Sequence, residues 1–327
     1  MRIFSGIRAS GDKTLGNYIG AIRQYVATQE QGDAFFCIVD LHSITTPFEP
    51  NVLREATIDV AAWLFASGLD PKRSTVFVQS HVRAHAEAAW LLSAVTSFGE
   101  LRRMTQFKER AEEQEFVSAG LFNYPVLMAG DILLYQTDIV PIGDDQRQHL
   151  ELARNIAERF NGRFGETFKV PEGVYPELGA RVKNLQEPER LMSTTRGVPA
   201  GVVRMIDAPD ELRKKFKSAV TDSGTDVRHD PETKPGVSNL IEIMAVMSER
   251  SIPEIEAQFD GQGYGAFKEG VAEAVVELLA PIQERYNALR ADEGELRRML
   301  AQGADKAREA SAPTLEAMYE RMGFVRL

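Results

Sequence analysis

A single carboxylate stands in the apolar run Leu127-Met128-Ala129-Gly130-Asp131-Ile132-Leu133-Leu134-Tyr135. Burying Asp131 without a partner is costly. If a helix begins at Pro125, with proline in its favoured first position, then Tyr124, Met128 and Asp131 fall at i, i+4 and i+7 and share one face. A ligand that presents one N–H inside the apolar slot would satisfy the carboxylate. So would an arginine, or a neighbouring helix end that Asp131 caps.

Three further groups could meet a nucleotide. Gly143-Asp144-Asp145-Gln146 follows a strand-like segment and starts a helix, where a carboxylate can hold a ribose hydroxyl or simply cap the helix. Ser193-Thr194-Thr195 with Gly197 offers hydroxyl and N–H groups to phosphate, or is a surface loop. In Met1–Ala21 a short strand at Ile3-Phe4 breaks at Ser5-Gly6, and a helix starts from Thr14-Leu15-Gly16-Asn17. Such a helix start suits an anion. Gly16 and Gly20 bare one side of it for a flat ring, although an ordinary strand–helix turn has the same pattern.

Other groups carry less. His81 and His85 have metal-like spacing, but no cysteine or third histidine lies near them in sequence, so they read as a helix-start pair. Gly261-Gln262-Gly263-Tyr264-Gly265 follows a helix rather than a strand and reads as a turn. Arg213, Lys214, Lys215 and Lys217 form a basic run that is a solvated helix face or a phosphate contact.

The elements that must position these groups follow an α/β alternation. Ala34–Asp40 and Ser74–Ser80 read as buried strands, and Tyr135–Ile142 contains another. Helices are expected over Leu53–Gly68, with Gly68 as C-cap, and over Ala84–Ala94. Glu100–Leu134 reads as mostly helical with a charged turn at Lys108–Glu115. A further helix runs from Gly143 to about Phe160, Glu166–Pro176 reads as a hairpin or loop, and Arg181–Thr195 is irregular. Right-handed crossovers then give a doubly wound parallel sheet, Rossmann-like, with Gly6, Asp40 and His42 beyond the strand ends where ligands bind. From Pro209 onward only helical periodicity remains, which places a domain boundary near residue 206.

The chain has 327 residues, enough for about two domains. Its net charge of −10 excludes general nucleic-acid affinity and requires any such partner to meet a local basic patch. Cys37 is the one cysteine, so no internal disulfide forms. With no leader-like segment and no apolar run of about 20 residues, the expected location is the cytoplasm.

Taken in order, the motifs FSGI at Phe4–Ile7, TLGN at Thr14–Asn17, CIVDLHSIT at Cys37–Thr45 and AHAEAAWLL at Ala84–Leu92 resemble the tryptophanyl-tRNA synthetases, a class I aminoacyl-tRNA synthetase family. The match continues through MTQFKE at Met104–Glu109, SAGLFNYPVLMAGDILLY at Ser118–Tyr135, GDDQRQHLELAR at Gly143–Arg154 and AVTDS at Ala219–Ser223. TLGN stands where the class signature His-Ile-Gly-His normally stands.

The resemblance implies a homodimeric ligase that activates tryptophan with Mg²⁺·ATP and transfers it to tRNA, with no protein-bound metal or organic cofactor. Residues 1–206 would form the catalytic domain, with a helical dimerisation insert near 100–135, and residues 207–327 would read the anticodon. Asp131 would accept the indole N–H, in a slot formed by Phe4, Gly6, Met128, Ile132 and Val140. Tyr124 and Gln146 would take the amino group, with His42 nearby. Gly143 and Asp145 would hold the ribose, with Asp144 in the same ATP set, Val182 and Met192 would flank adenine, and Gly16 and Asn17 would meet base and phosphates. Arg8, Ala9 and Ser10 complete the ATP set together with Leu191, Ser193, Thr194 and Thr195. Thr14, Asn17, Ser193, Arg190 and Arg110 are the catalytic candidates.

One departure is plain. The second class signature, Lys-Met-Ser-Lys-Ser, reads Leu191-Met192-Ser193-Thr194-Thr195 here, so both lysines are absent. Arg190, Arg196, Lys183 and Arg110 are the nearby replacements. The alternative is a synthetase-like paralogue that binds tryptophan or nucleotide without efficient aminoacylation.

Overall fold

The computed structural model describes residues 1–113, 116–143, 146–175, 182–194 and 197–325, with Arg110, Ala111 and Glu113 described by backbone alone. Five strands, β1 (Arg2–Ile7), β2 (Asp33–Ile38), β3 (Ser74–Val78), β4 (Ile139–Pro141) and β5 (Glu172–Val174), form one sheet in the order β3-β2-β1-β4-β5. Every pairing is parallel. The order reverses beside β1, and in open parallel sheets that switch point is where a ligand crevice opens.

Two expectations about strands are corrected. β1 does not break at Ser5-Gly6: Ser5 pairs with Phe36 and Gly6 with Cys37. Ser5 Oγ meets Tyr25 Oη at 3.0 Å, which satisfies the polar side chain inside the fold. Glu166–Pro176 is not only hairpin or loop, because β5 pairs in parallel with β4. Three residues are too few for period-two alternation to register.

Alternation along β1 and β2 sends side chains to two different cores. Phe4, Phe35, Cys37 and Phe77 pack with the helices Ala84–Ser93, Ala119–Leu133, Arg147–Phe164 and Glu293–Arg321. Phe36 points the other way and stacks on Tyr25 at 4.8 Å between centroids. The helix Pro50–Ala66 ends as expected before Gly68, whose φ of +115° takes the chain out of the helix. The charged turn expected at Lys108–Glu115 is instead helical through Glu113.

By packing, the chain forms two compact units: Met1–Ser10, Tyr25–Tyr175 and Asp292–Leu327 make one, and Gly11–Gln24 with Pro176–Ala291 makes the other. This differs from a single cut near residue 206. In the first unit the terminal helix Glu293–Arg321 lies on β3 at Gly303, where a Cβ would stand 1.9 Å from the Val76 carbonyl oxygen. Only glycine permits that approach, and nothing in the charged sequence of the helix announces it. In the second unit, backbone bonds from Leu15 N–H to Val203 O (2.9 Å) and from Met205 N–H to Lys13 O (2.8 Å) tie the early segment to residues far along the chain. The helices Pro209–Lys217, Pro235–Ser248 and Gly263–Ala291 bury Phe216, Leu240, Ile241, Phe267 and Val271. Among the described residues, no helix is long and apolar enough to cross a membrane.

Candidate active site

The helix carrying Asp131 starts earlier than the proline suggested. Ser118 caps it, its side chain accepting from Leu121 N–H, and the helix runs over Ala119–Leu133 with Pro125 inside. The shared face survives this correction. Tyr124, Met128 and Asp131 line one cavity of about 360 Å³ in the first unit. Phe4, Gly6, His42, Ile132, Val140 and Gln146 line it too, so every residue expected around tryptophan faces the same space.

Asp131 is 1% exposed and sits at the polar end of this cavity. Its partner is neither an arginine nor a helix end. Oδ1 accepts from Gln79 Nε2 at 2.7 Å and lies 2.6 Å from His85 Nδ1, and Oδ2 lies 2.8 Å from His42 Nε2. Burial by itself would raise the carboxyl pKa, but the hydrogen bonds with His42 and His85, and the electrostatic interaction with both rings, outweigh it. The group is held well below the usual carboxylate range.

Strand ends deliver these donors. His42 lies on the short helix Asp40–Ser43 after β2, and Gln79 opens the turn Gln79–His81 after β3. Asp40 joins the two ends, accepting from Leu41 N–H and from Ser80 N–H, each at 3.0 Å. The walls are apolar: Phe4, Met128, Ile132, Val140 and Ile142. Phe4 is itself stacked on Tyr135 at 5.3 Å. At the other polar corner Tyr124 Oη lies 3.2 Å from Gln106 Oε1 and 2.8 Å from His149 Nε2. Arg8 lines the cavity and reaches the His42 carbonyl at 3.4 Å, and the buried Ala9 accepts from Ser43 Oγ at 3.1 Å. Ser10 is exposed. Gln146 begins the helix Arg147–Phe164, its N–H bonded to Gly143 O at 3.0 Å.

The second unit gathers another expected set. Thr14 and Asn17 form a capping box: Thr14 Oγ1 accepts from Asn17 N–H at 3.2 Å, and Asn17 Oδ1 accepts from Thr14 N–H at 3.0 Å. The helix passes through a π turn at Tyr18–Ile22. Val182 and Met192 are bridged by a backbone bond of 2.9 Å, and their Cβ atoms would lie 3.6 and 3.7 Å from a Cβ on Gly16. Thr194 Oγ1 lies beside Gly11. Ser193 is half-buried and Leu191 exposed. Arg190 is exposed and paired with Glu187 at 3.6 Å. Asp144, Asp145, Thr195 and the side chain of Arg110 lie outside the described residues, as does Arg196.

Two of the four side chains of the basic run are committed to the fold. Arg213 bonds Glu273 at 2.7 Å, and Lys215 bonds the buried Asp207 at 2.5 Å. Reading the sequence missed Gln79, His85, Gln106 and His149 as parts of the site. Only His85 carried a signal, an imidazole in an alanine-rich apolar helix. Among the described residues no cluster of three His, Cys, Asp or Glu side chains is placed to hold a metal ion, and His85 belongs to the Asp131 network.

Residues 1–280 match the family model of class I tRNA synthetases (W and Y). A tryptophan–tRNA ligase of Leifsonia xyli subsp. xyli is 52% identical over 327 residues, covering 99% of this chain and 97% of that protein. The tryptophanyl-tRNA synthetase structure of Mycoplasma pneumoniae superposes with a TM-score of 0.93 at 35% identity, covering 99% of this chain and 98% of that one. That of Campylobacter jejuni, complexed with ADP and tryptophan, gives 0.84 at 34% identity, covering 99% of this chain and all of that one. The chain belongs to the class I tRNA synthetase family of the tryptophan and tyrosine enzymes.

Proposed function

We propose that this chain is an ATP-dependent tryptophan–tRNA ligase. The tryptophan carboxylate attacks the α-phosphorus of ATP, pyrophosphate leaves, and a ribose hydroxyl of the tRNA terminus then takes the acyl group with release of AMP. The observation that carries the reading is Asp131, a buried acceptor at the end of an apolar cavity of aromatic size. A ligand that lacks the N–H donor leaves that charge underpaired, which is a strong basis for rejection. Full-length relatives at about half identity that are named tryptophan–tRNA ligase support the same substrate, and a paralogue without aminoacylation is not favoured.

The residue roles proposed are those that the family resemblance implies. Phe4, Met128, Ile132 and Val140 hold the indole, Gly6 leaves room for it, and Tyr124, Gln146 and His42 orient the amino acid. Gly16, Val182 and Met192 take adenine. Gly143 and Asp145 take the ribose, with Asp144 in the same ATP set. Arg8, Ala9, Ser10, Asn17, Leu191, Ser193, Thr194 and Thr195 surround the phosphates, and Thr14 holds the start of the helix. Mg²⁺ enters with ATP as part of the substrate. Positioning and electrostatic stabilisation supply the acceleration, with Arg190 and Arg110 in place of the absent lysines.

Residues 1–206 act as the catalytic domain and 207–327 bind the tRNA anticodon. The active form is a homodimer joined through the region near 100–135, and the solvent-exposed Phe98 and Phe116 support a partner there. The enzyme works in the cytoplasm. Tryptophan-dependent ATP–pyrophosphate exchange, with tyrosine and phenylalanine as controls, tests the proposal. Brisk exchange with tryptophan alone is expected, and tryptophan binding without exchange would overturn it.

A further inference from the structure

Two of the three donors to Asp131 lie behind the cavity wall. His42 lines the cavity, whereas Gln79 and His85 are fully buried and do not. Both buried donors converge on Oδ1, at 2.7 and 2.6 Å, and Oδ2 faces His42.

Each buried donor is itself oriented from the side away from the cavity. Leu41 N–H donates to Gln79 Oε1 at 3.1 Å, which turns the amide NH₂ toward Asp131. Tyr135 Oη lies 2.8 Å from His85 Nε2. Burial pushes the Tyr135 phenol well above its ordinary range, so it keeps its proton. The Asp131 carboxylate can only accept, so the His85 proton that faces it sits on Nδ1. Tyr135 is held in turn by stacking on Phe4 and Phe35, at 5.3 and 4.8 Å.

We propose that His85, oriented by Tyr135, is a positioning residue for substrate selection: together with Gln79 it occupies Oδ1, so that Oδ2 is the oxygen offered to the indole N–H. His85 touches no substrate and acts through Asp131. Without it, the carboxylate is free to turn or to take up a proton. A protonated carboxyl can donate as well as accept, and so loses its preference for a ligand N–H. The inference rests on reading the cavity as the tryptophan pocket.

The test compares calorimetric Kd values for L-tryptophan and for the benzothiophene isostere, in which sulfur replaces the N–H. Wild type, Asp131→Asn, His85→Leu, His85→Asn and Tyr135→Phe are measured as full chains. Wild type is expected to prefer tryptophan. His85→Leu should cut that preference by about tenfold or more, mostly through weaker tryptophan binding. His85→Asn, whose amide can donate from near the Nδ1 position, should recover most of it. A purely structural role would weaken both ligands equally and leave the ratio unchanged. A folded His85→Leu with the wild-type ratio, beside an Asp131→Asn that has lost it, overturns the proposal while the pocket reading stands. Equal affinities in wild type overturn both. Should His85→Leu fail to fold, Tyr135→Phe decides, because an unchanged ratio there rejects the orientation of His85 by Tyr135.

Discussion

The cavity at Asp131 and the loop at Leu191–Thr194 face opposite electrostatic problems. The cavity must keep one negative charge in a dry interior, and it does so with donors fixed at 2.6 to 2.8 Å. In the proposed reaction the loop would meet negative charge that grows on a departing pyrophosphate, yet its described residues offer hydroxyls and an exposed leucine. Asp131, Gln79 and His85 are buried, so losing one of them leaves an unmet group at full cost. Beside the loop Arg190 is exposed and paired with Glu187, and such a pair is worth little to the resting fold. In the proposed reaction recognition would therefore depend on particular buried atoms, whereas charge for the leaving group could come from more than one surface residue.

The largest effect should follow from breaking the buried side of this comparison. Asp131→Ala removes the acceptor of three donors and should raise the tryptophan KM by about 100-fold or more. It should also lower stability, because Gln79 and His85 are left buried without their acceptor. Exchange kinetics and a melting curve report the two losses separately. Unchanged tryptophan affinity would remove the assigned pocket.

On the exposed side, Arg190→Ala should slow adenylate formation by about 100-fold, the scale of one lost transition-state donor. Tryptophan binding and Tm should hold, since the side chain is 66% exposed. Single-turnover formation of the adenylate at saturating tryptophan checks this. A wild-type rate would transfer the role to another cation, such as Lys183.

Gly16→Ala sharpens the comparison at a third place. The added methyl would meet Thr14 Oγ1, Val182 and Met192 at 3.4 to 3.7 Å, which is ordinary contact. The fold should therefore tolerate it. If adenine lies over that surface, the ATP KM should rise about tenfold from steric loss alone. An ATP KM within twofold of wild type would place the base elsewhere.

How much of this was legible in the sequence depends on the range over which each signal acts. Strands β2 and β3 announce themselves through continuous β-branched and aromatic runs, and the face shared by Tyr124, Met128 and Asp131 through helical spacing. The start of that helix was misplaced because Pro125 is a stronger punctuation mark than Ser118, although serine made the cap. β5 is too short to show a period. The placement of the terminal helix on β3 turns on Gly303, one residue among many small ones. The partners of Asp131 were least legible, because Gln79 and His85 are brought to it across 52 and 46 positions of chain. No local pattern records that approach, and the family resemblance pointed to the cavity lining rather than to the groups behind it.

Acid titration probes the buried charge directly. The carboxyl of Asp131 is held below its unfolded value of about 3.9 by His42 and His85, against the opposing effect of burial. A group depressed in the folded state contributes stability above its unfolded pKa and loses it as pH falls toward the folded one. The stability gap between wild type and Asp131→Asn should therefore shrink as pH falls below about 4. Urea melts across that range isolate this residue from the other carboxylates. A gap independent of pH would mean that Asp131 is not charged in the fold.

The smallest effect is expected at Thr14. Its hydroxyl accepts from Asn17 N–H, but the reciprocal bond runs from the Thr14 backbone to Asn17 Oδ1. Thr14→Ala removes the first bond and the one the hydroxyl donates to Asn17 Oδ1 at 3.1 Å, but keeps the backbone bond, so Asn17 stays anchored. A lost cap of this kind costs about 1 kcal/mol, which melting curves can resolve, and Thr14→Ser should restore it. The exchange rate should fall less than about threefold, in keeping with a residue that shapes the helix start and leaves phosphate contacts to its neighbours. A fall of two orders of magnitude with an unchanged Tm would instead make the hydroxyl itself a partner of ATP, and would place Thr14 with Asp131 among the side chains on which the reaction directly depends.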